Sequence, residues 1–347
     1  MDEANGRALA LPEALSRLRE RRDLGSELAR RVMVEIMTGR AAPSQIGAYL
    51  MGLAVKGETA DEILGSVLAM REAATPLPVP GDDLMDTCGT GGDGKGTFNI
   101  STTVAFVLAA GGVKVAKHGN RSVSSRSGSA DLLEALRVRI DVEPEEAARL
   151  LSEIGICFLF APKYHPAMKH ASSVRRELGV RTLFNIVGPL ANPARAARQI
   201  VGVFSRDLLE LYAEVLPRLG LVEGYVFHGL EGLDELTTAG NSLVAEIAPG
   251  GTRTYVLDPA SLGFAPARIE DLAGGTAAEN ARMALAILAG ERGARRDAVV
   301  LTAAHGLLAG GRSTTLEEGV RMAEELLDSG AARDVLDKLR KAAPWTS

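Results

Sequence analysis

The sequence predicts an α/β protein with a separate small all-α domain, and three observations carry that expectation. Apolar residues recur at helical spacing from Leu11 to about Ala74. Three prolines then fall between Thr75 and Gly81. Beyond them, short β-type runs alternate with helical stretches, the pattern of helices layered on a sheet.

Taken in order, Ser26 is the expected cap of a helix in which Leu28, Val32 and Ile36 fall at i, i+4 and i+8. Ala29, Met33 and Met37 lie beside them, and Gly39 ends it. Pro43-Ser44 opens the next helix, and Thr59-Ala60-Asp61-Glu62 fits a capping box ahead of Ile63, Leu64, Val67 and Leu68. The segment Thr75-Pro76-Leu77-Pro78-Val79-Pro80-Gly81 stops helix formation, because proline removes N–H donors and pushes its predecessor toward extended geometry. It reads as a domain linker. After it, β-type runs are expected at Val113 to Ala116, Cys157 to Phe160, Ile200 to Phe204, Tyr225 to His228 and Leu243 to Ile247. Helices are expected at Leu208 to Leu216, Ala277 to Leu288 and Thr315 to Leu327.

Composition narrows the function class. A chain of 347 residues with 46% hydrophobic content can bury a large core, and its length favours two domains. The net charge of −5 leaves no global basic field to hold a nucleic acid by counterion release. Cys88 and Cys157 make no disulfide framework and show no metal-ligand spacing. The start Met1-Asp2-Glu3-Ala4-Asn5 lacks a basic, apolar leader, and no run approaches the ~18 apolar residues of a membrane span. A cytoplasmic protein with no membrane or nucleic-acid partner is expected.

The chemistry concentrates between Asp86 and Asp131. Gly89-Thr90-Gly91-Gly92-Asp93-Gly94 lets a backbone approach an anion closely, and Asn99-Ile100-Ser101-Thr102 places Ser101 or Thr102 at a helix N-terminus with hydroxyl and N–H groups together. Lys117 to Ser125 adds cations, an amide and hydroxyls, with His118 either a structural histidine or a ligand contact. A phosphorylated small molecule is the expected target. Gly89-x-Gly91-x-x-Gly94 matches the dinucleotide fingerprint literally. The helix nevertheless starts late, near Thr102, and Lys114 and Lys117 stand where a ribose-binding acid should be. Gly89 to Lys95 nearly makes a Walker A loop, but Gly96 replaces its metal-binding hydroxyl residue.

Together these residues resemble the anthranilate phosphoribosyltransferase family. The likeness continues through Gly128-Ser129-Ala130-Asp131, His165-Pro166-Ala167, Val174-Arg175, Arg181-Thr182-Leu183-Phe184-Asn185, Gly188-Pro189-Leu190-Ala191-Asn192-Pro193 and Gly232-Leu233-Asp234-Glu235-Leu236-Thr237, in order along nearly the whole chain.

The resemblance implies a nucleoside phosphorylase and phosphoribosyltransferase-like architecture. Residues 1–80 would form the small helical domain, with roughly 167–193 returning to it, while 81–166 and 194–347 form the large domain. A homodimer through the helical domain is implied as well. Phosphoribosyl pyrophosphate would be held by Gly89, Gly92, Asp93, Thr97, Asn99, Ile100, Ser101, Thr102, Lys117, His118, Gly119, Asn120, Arg121, Ser122, Val123, Ser124, Ser125 and Ser129. Asn120 and Arg175 would contact anthranilate, the guanidinium matching its carboxylate with paired donors. Ser101, Asp234 and Glu235 would hold Mg²⁺, two ions per site, since magnesium is usually bound by one or two carboxylates plus substrate phosphates.

Alone, Arg175 reads as an exposed helix residue and Asp234-Glu235 as a solvated turn; the diphosphate loop and the resemblance reverse both readings. No side-chain nucleophile or single base is implied, and Lys117 would stabilise charge on departing pyrophosphate. The chain departs from the family pattern at Ala171-Ser172-Ser173-Val174-Arg175, where a proline commonly precedes the Val-Arg pair. Leu301-Thr302-Ala303-Ala304-His305 departs too, where relatives carry an asparagine. Two rivals differ in chemistry. A pyrimidine nucleoside phosphorylase would not need the paired carboxylates, and a non-catalytic nucleic-acid binder would show an extended basic surface.

Overall fold

A computed structural model describes residues 9–122 and 126–345. The helices Ala10–Arg19, Gly25–Met37, Pro43–Lys56 and Ala60–Ala73 pack as an N-terminal bundle. In the second, Leu28, Val32, Met33 and Ile36 are buried, as their spacing requires. Its start differs from expectation. Ser26 lies inside the first turn, and the Leu24 N–H donates to Glu62 Oε1 at 3.0 Å, so a neighbouring helix supplies the cap. The same Glu62 closes the expected box, accepting from the Thr59 N–H at 2.9 Å, and pairs with Lys56 at 3.0 Å.

After the proline linker the chain builds one seven-stranded sheet. Its strands are β1 (Leu84–Gly89), β2 (Lys114–Gly119), β3 (Ile156–Phe160), β4 (Arg198–Gly202), β5 (Glu223–Gly229), β6 (Ser242–Ala248) and β7 (Gly251–Leu257). The spatial order is β3-β2-β1-β4-β5-β6-β7. The first five in that order are parallel, and β6 and β7 are antiparallel. The chain leaves β1 toward β2 on one side and returns from β3 to β4 on the other, so a topological switch point lies at the carboxyl ends of β1 and β4. Ligands of open α/β sheets bind in that crevice.

Two strands escape the periodicity. β1 is buried yet carries Asp86 and Thr87, and β7 is an edge strand with Thr252, Arg253, Thr254 and Val256 exposed. Neither shows the apolar run or clean alternation that marks a strand.

Apolar groups fill both faces of the sheet. On one, Ile200, Tyr225, Phe227 and Val244 join the helix Ile100–Ala110, buried on nearly all sides, and the helices Ala294–Ala309, Leu316–Asp328 and Ala331–Ala342. On the other, Val201, Val226 and Ala245 meet the helix Arg206–Arg218 and the N-terminal bundle. The helices Lys169–Leu178 and Leu183–Val187 pack back on that bundle, burying Ala171, Val174, Leu183 and Phe184 with it. Among the described residues no helix is long and apolar enough to cross a membrane.

Candidate active site

The site grows from the carboxyl ends of β1, β2 and β4. At the end of β1, Gly91, Gly92, Gly94 and Gly96 all take positive φ, which explains the density of glycine in this turn. Asp234 approaches so closely that a Cβ on Gly202 would lie 1.6 Å from its carbonyl oxygen, and one on Gly89 3.0 Å from its carboxylate. The Thr90 N–H donates to the Gly202 carbonyl at 2.9 Å and the Gly91 N–H to Asp234 Oδ2 at 2.6 Å.

Asn99 precedes the helix Ile100–Ala110 but does not cap it. Its side chain donates to the Ser127 carbonyl at 3.0 Å and accepts from Asn280 Nδ2 at 2.8 Å. The helix start, with its positive dipole end, is left to Glu235, which the Ser101 backbone N–H contacts. Ile100 and Thr102 are buried in the core, and the Ile100 N–H already donates to the Phe98 carbonyl at 2.8 Å, so neither position offers a ligand its side chain.

Three carboxylates converge here. Asp234 is pushed up to about 7 by burial, with Asp93 beside it. Glu235 is raised well above the usual range by burial and by Asp234, against the pull of Lys117 and the Ser101 N–H. Glu235 Oε2 and Asp93 Oδ2 are buried without a hydrogen-bond partner. Crowded, desolvated acids with orphaned oxygens fit a divalent cation held jointly by protein and substrate oxygens. Among the described residues no cluster of three or more His, Cys, Asp or Glu is arranged to hold a metal without that help.

Lys117, on β2, is buried; its Nζ donates to the Thr87 carbonyl and lies 3.4 Å from Ser101 Oγ. Burial lowers its pKa below the usual lysine range, against the opposing pull of Asp86, Cys88 and Glu235. Next to it, the His118 N–H donates to Asp86 Oδ1 at 3.1 Å. The His118 ring lies 5.1 Å from that of His165, at a tilt of 54°. Burial pushes the two imidazoles down to about 3 and about 4, so both are neutral, and each has an unpartnered Nε2. They face the backbone of Gly188 and Ala191 respectively.

The remaining expected residues are placed unevenly. Gly119 and Ser129 touch, a Cβ on the glycine falling 2.2 Å from the serine hydroxyl. Asn120 is exposed, with its side-chain oxygen accepting from the Arg121 N–H at 2.7 Å. Arg121 is not a bare cation: it forks onto Glu134 at 2.5 and 2.8 Å and reaches Asp131 at 3.0 Å, bracing the loop. The Ser122 N–H joins the same Asp131 at 3.1 Å. Thr97 is half-buried, bridged to Ala273. Val123, Ser124 and Ser125 lie outside the described residues.

Arg175 sits in the last turn of Lys169–Leu178 with its guanidinium 5.0 Å above the Phe184 ring, and burial lowers its pKa. Ser172 and Ser173, where the family pattern differs, are both exposed; the Ser172 hydroxyl donates to the Met168 carbonyl at 2.7 Å. His165 and Asn280 belong to the site's frame and were absent from the expected set. His165-Pro166-Ala167 carried a signal as a motif, whereas Asn280 lies 181 positions from its partner Asn99 and left none.

Comparisons with known proteins identify the family. The glycosyl transferase family helical bundle domain matches residues 12–74, and the glycosyl transferase family a/b domain matches residues 81–333. The anthranilate phosphoribosyltransferase of Moorella thermoacetica is 53% identical over 310 residues, 89% of this chain and 91% of that protein. The crystal structure of the Thermus thermophilus enzyme superposes with a TM-score of 0.90 at 46% identity, covering 97% of this chain and 99% of that one. The Saccharomyces cerevisiae enzyme, solved in complex with PRPP and Mg, gives 0.88 at 27% identity over 96% and 97%. With this sequence identity, fold and cleft, the chain belongs to the anthranilate phosphoribosyltransferase family.

Proposed function

We infer that this chain transfers the 5-phosphoribosyl group of phosphoribosyl pyrophosphate to the amine of anthranilate. The products are N-(5-phosphoribosyl)anthranilate and pyrophosphate, a step of tryptophan biosynthesis. The observation that carries the reading is the meeting of the glycine turn, buried Lys117, Ser101 and the orphaned carboxylate oxygens of Asp93 and Glu235 at the sheet's switch point.

The amine nitrogen bonds to ribose C1 as the bond from C1 to pyrophosphate breaks with its electron pair. The configuration inverts, and the proton leaves the anilinium that forms. An aromatic amine is already a nucleophile, so the chain's task is positioning and charge stabilisation. Lys117 and the N–H groups of the glycine turn face the leaving group. Ser101, Asp234 and Glu235 would hold Mg²⁺, which when bound neutralises charge on the diphosphate; two ions per site suit two adjacent acids and a diphosphate. His118, which the resemblance implies for the donor, is assigned instead with His165 to the acceptor side, where two neutral rings would give a polar wall without a competing cation, and Arg175 would pair with the anthranilate carboxylate. Gly89, Gly92, Thr97, Asn99, Asn120 and Ser129 shape the donor loops.

The domain reading follows the same lines: residues 1–80 with 167–193 as the helical unit, 81–166 and 194–347 as the catalytic one. The helical unit is the proposed dimer contact, and the cytoplasm is the proposed location. Anthranilate fluorescence in the purified protein with phosphoribosyl pyrophosphate, with and without Mg²⁺, tests the reaction. Magnesium-dependent loss of signal with one pyrophosphate released per anthranilate is expected; a steady signal with a folded protein that binds the donor refutes anthranilate as acceptor.

A further inference from the structure

We propose that Arg181 is a positioning residue that ties the acceptor-side segment to the donor loop across the cleft. The proposal rests on the phosphoribosyl-transfer reading above. Gly179 ends the helix Lys169–Leu178 in a left-handed turn, and Thr182 precedes the helix Leu183–Val187, which leaves Val180 and Arg181 as a short connection between them. From there the Arg181 guanidinium lies 4.4 Å from the centroid of Phe204, and Nη2 donates to the Gly92 carbonyl.

Each end of this bridge is fixed. Phe204 lies two residues past the end of β4, and its N–H donates to Thr90 Oγ1 at 3.2 Å, so the residue that carries the guanidinium is anchored to the glycine turn. Gly92 has φ 79 and lies next to Gly91 with φ 66, a stretch of backbone with no side chains of its own to hold it. The neighbouring Gly91 N–H is held by Asp234, and further along the turn the Lys95 N–H donates to Asp93 at 3.0 Å. Arg181 holds the Gly92 carbonyl that follows Gly91. A peptide unit is planar, so holding the Gly92 carbonyl also fixes the direction of the Asp93 N–H on the other edge of that plane. That N–H is a donor for the diphosphate.

Arg175 and Arg181 lie on the same returning segment. In the reading above one contacts the acceptor while the other grips the donor loop, so the segment carries a separate contact for each side.

The test uses the full chain with Arg181→Ala, Arg181→Lys and Phe204→Leu. Arg181→Ala is expected to raise the KM for phosphoribosyl pyrophosphate about tenfold while anthranilate affinity measured alone stays within about twofold. Amide hydrogen exchange over residues 91–95 should quicken in the substrate-free variant. Arg181→Lys should recover part of the loss, since an ammonium reaches the carbonyl but does not stack on Phe204 as a planar guanidinium does. Phe204→Leu should give a smaller shift of the same sign. Unchanged donor KM and unchanged exchange in folded Arg181→Ala would overturn the proposal, as would equal loss for both substrates. If Arg181→Ala does not fold, Arg181→Lys and Phe204→Leu decide by the same two readouts. If the wild-type protein does not consume anthranilate, the functional reading fails and the exchange measurement alone decides the bridge.

Discussion

Two walls of the cleft are made in different ways. The proposed donor wall comes from the ends of adjacent strands, where Gly89 to Lys95, Ser101, Lys117 and the pair Asp234-Glu235 bring glycine backbone, a buried lysine and crowded acids together. The acceptor wall depends on residues 165–192 folding back toward the bundle and β2. The proposal places there neutral His118 and His165 and one guanidinium resting on Phe184. Binding a diphosphate demands charge, close backbone approach and glycine, all of which mark a sequence locally. A small aromatic acid needs mainly shape, so its pocket can be drawn from distant residues.

The sharpest way to break this comparison is at the acids. Asp234→Asn with Glu235→Gln should lower kcat by about a thousandfold at ordinary magnesium, because stabilisation of the leaving diphosphate is lost on the wall that carries it. Thermal unfolding should be little changed, since these are buried acids with raised pKa values and gain nothing structurally from ionising. Full turnover in this variant would remove the metal assignment.

Arg175→Ala should fall on the other wall only. The KM for anthranilate is expected to rise about tenfold or more with that for phosphoribosyl pyrophosphate nearly constant, as follows when one carboxylate contact is removed. Equal rises would make Arg175 structural.

Much of this division was legible before folding. The helical bundle, the Thr59 to Glu62 cap, the proline linker and five of the seven strands follow from period and punctuation, and the anion site from local composition. What escaped did so for physical reasons. β1 puts Asp86 and Thr87 in a buried strand because Lys117, Gln199 and the His118 N–H surround them there, and no local pattern encodes partners that far away. The Ser26 cap lost to a Glu62 carboxylate 38 positions from Leu24. The return of Lys169–Leu178 to the bundle came from family likeness, because its amphipathic face does not name the surface it meets.

Magnesium affinity should depend on pH in a way that isolates the donor wall. With Asp234 at about 7 beside Asp93, protons and the cation compete below that pH. Apparent Mg²⁺ affinity should therefore weaken by up to about tenfold from pH 7 to pH 6 and level off above pH 8, measured at saturating anthranilate. A flat profile would mean the acids are already ionised.

The smallest effect concerns His305, outside both walls. Burial pushes it down to about 4; its Nδ1 is 2.8 Å from the Leu301 carbonyl, its Nε2 lacks a partner, and it meets Tyr225 edge-on at 5.0 Å. Between an unfolded value of about 6.5 and the folded value, the unfolded chain binds a proton that the folded chain refuses, so stability falls as pH drops. From pH 7 to pH 5 the wild type should lose about 2 kcal/mol relative to His305→Leu, read from paired denaturant titrations. Parallel curves would show that His305 is not held neutral. Turnover should be unaffected at pH 7.5.

The most direct measurement of the division itself is the binding of anthranilate alone, by its fluorescence, to the Asp234→Asn, Glu235→Gln protein and to Arg175→Ala. The double variant should bind anthranilate within about twofold of wild type despite its lost turnover, while Arg175→Ala should bind it about tenfold more weakly or worse. Loss of anthranilate affinity in the double variant, equal to that in Arg175→Ala, would contradict the separation of donor and acceptor walls.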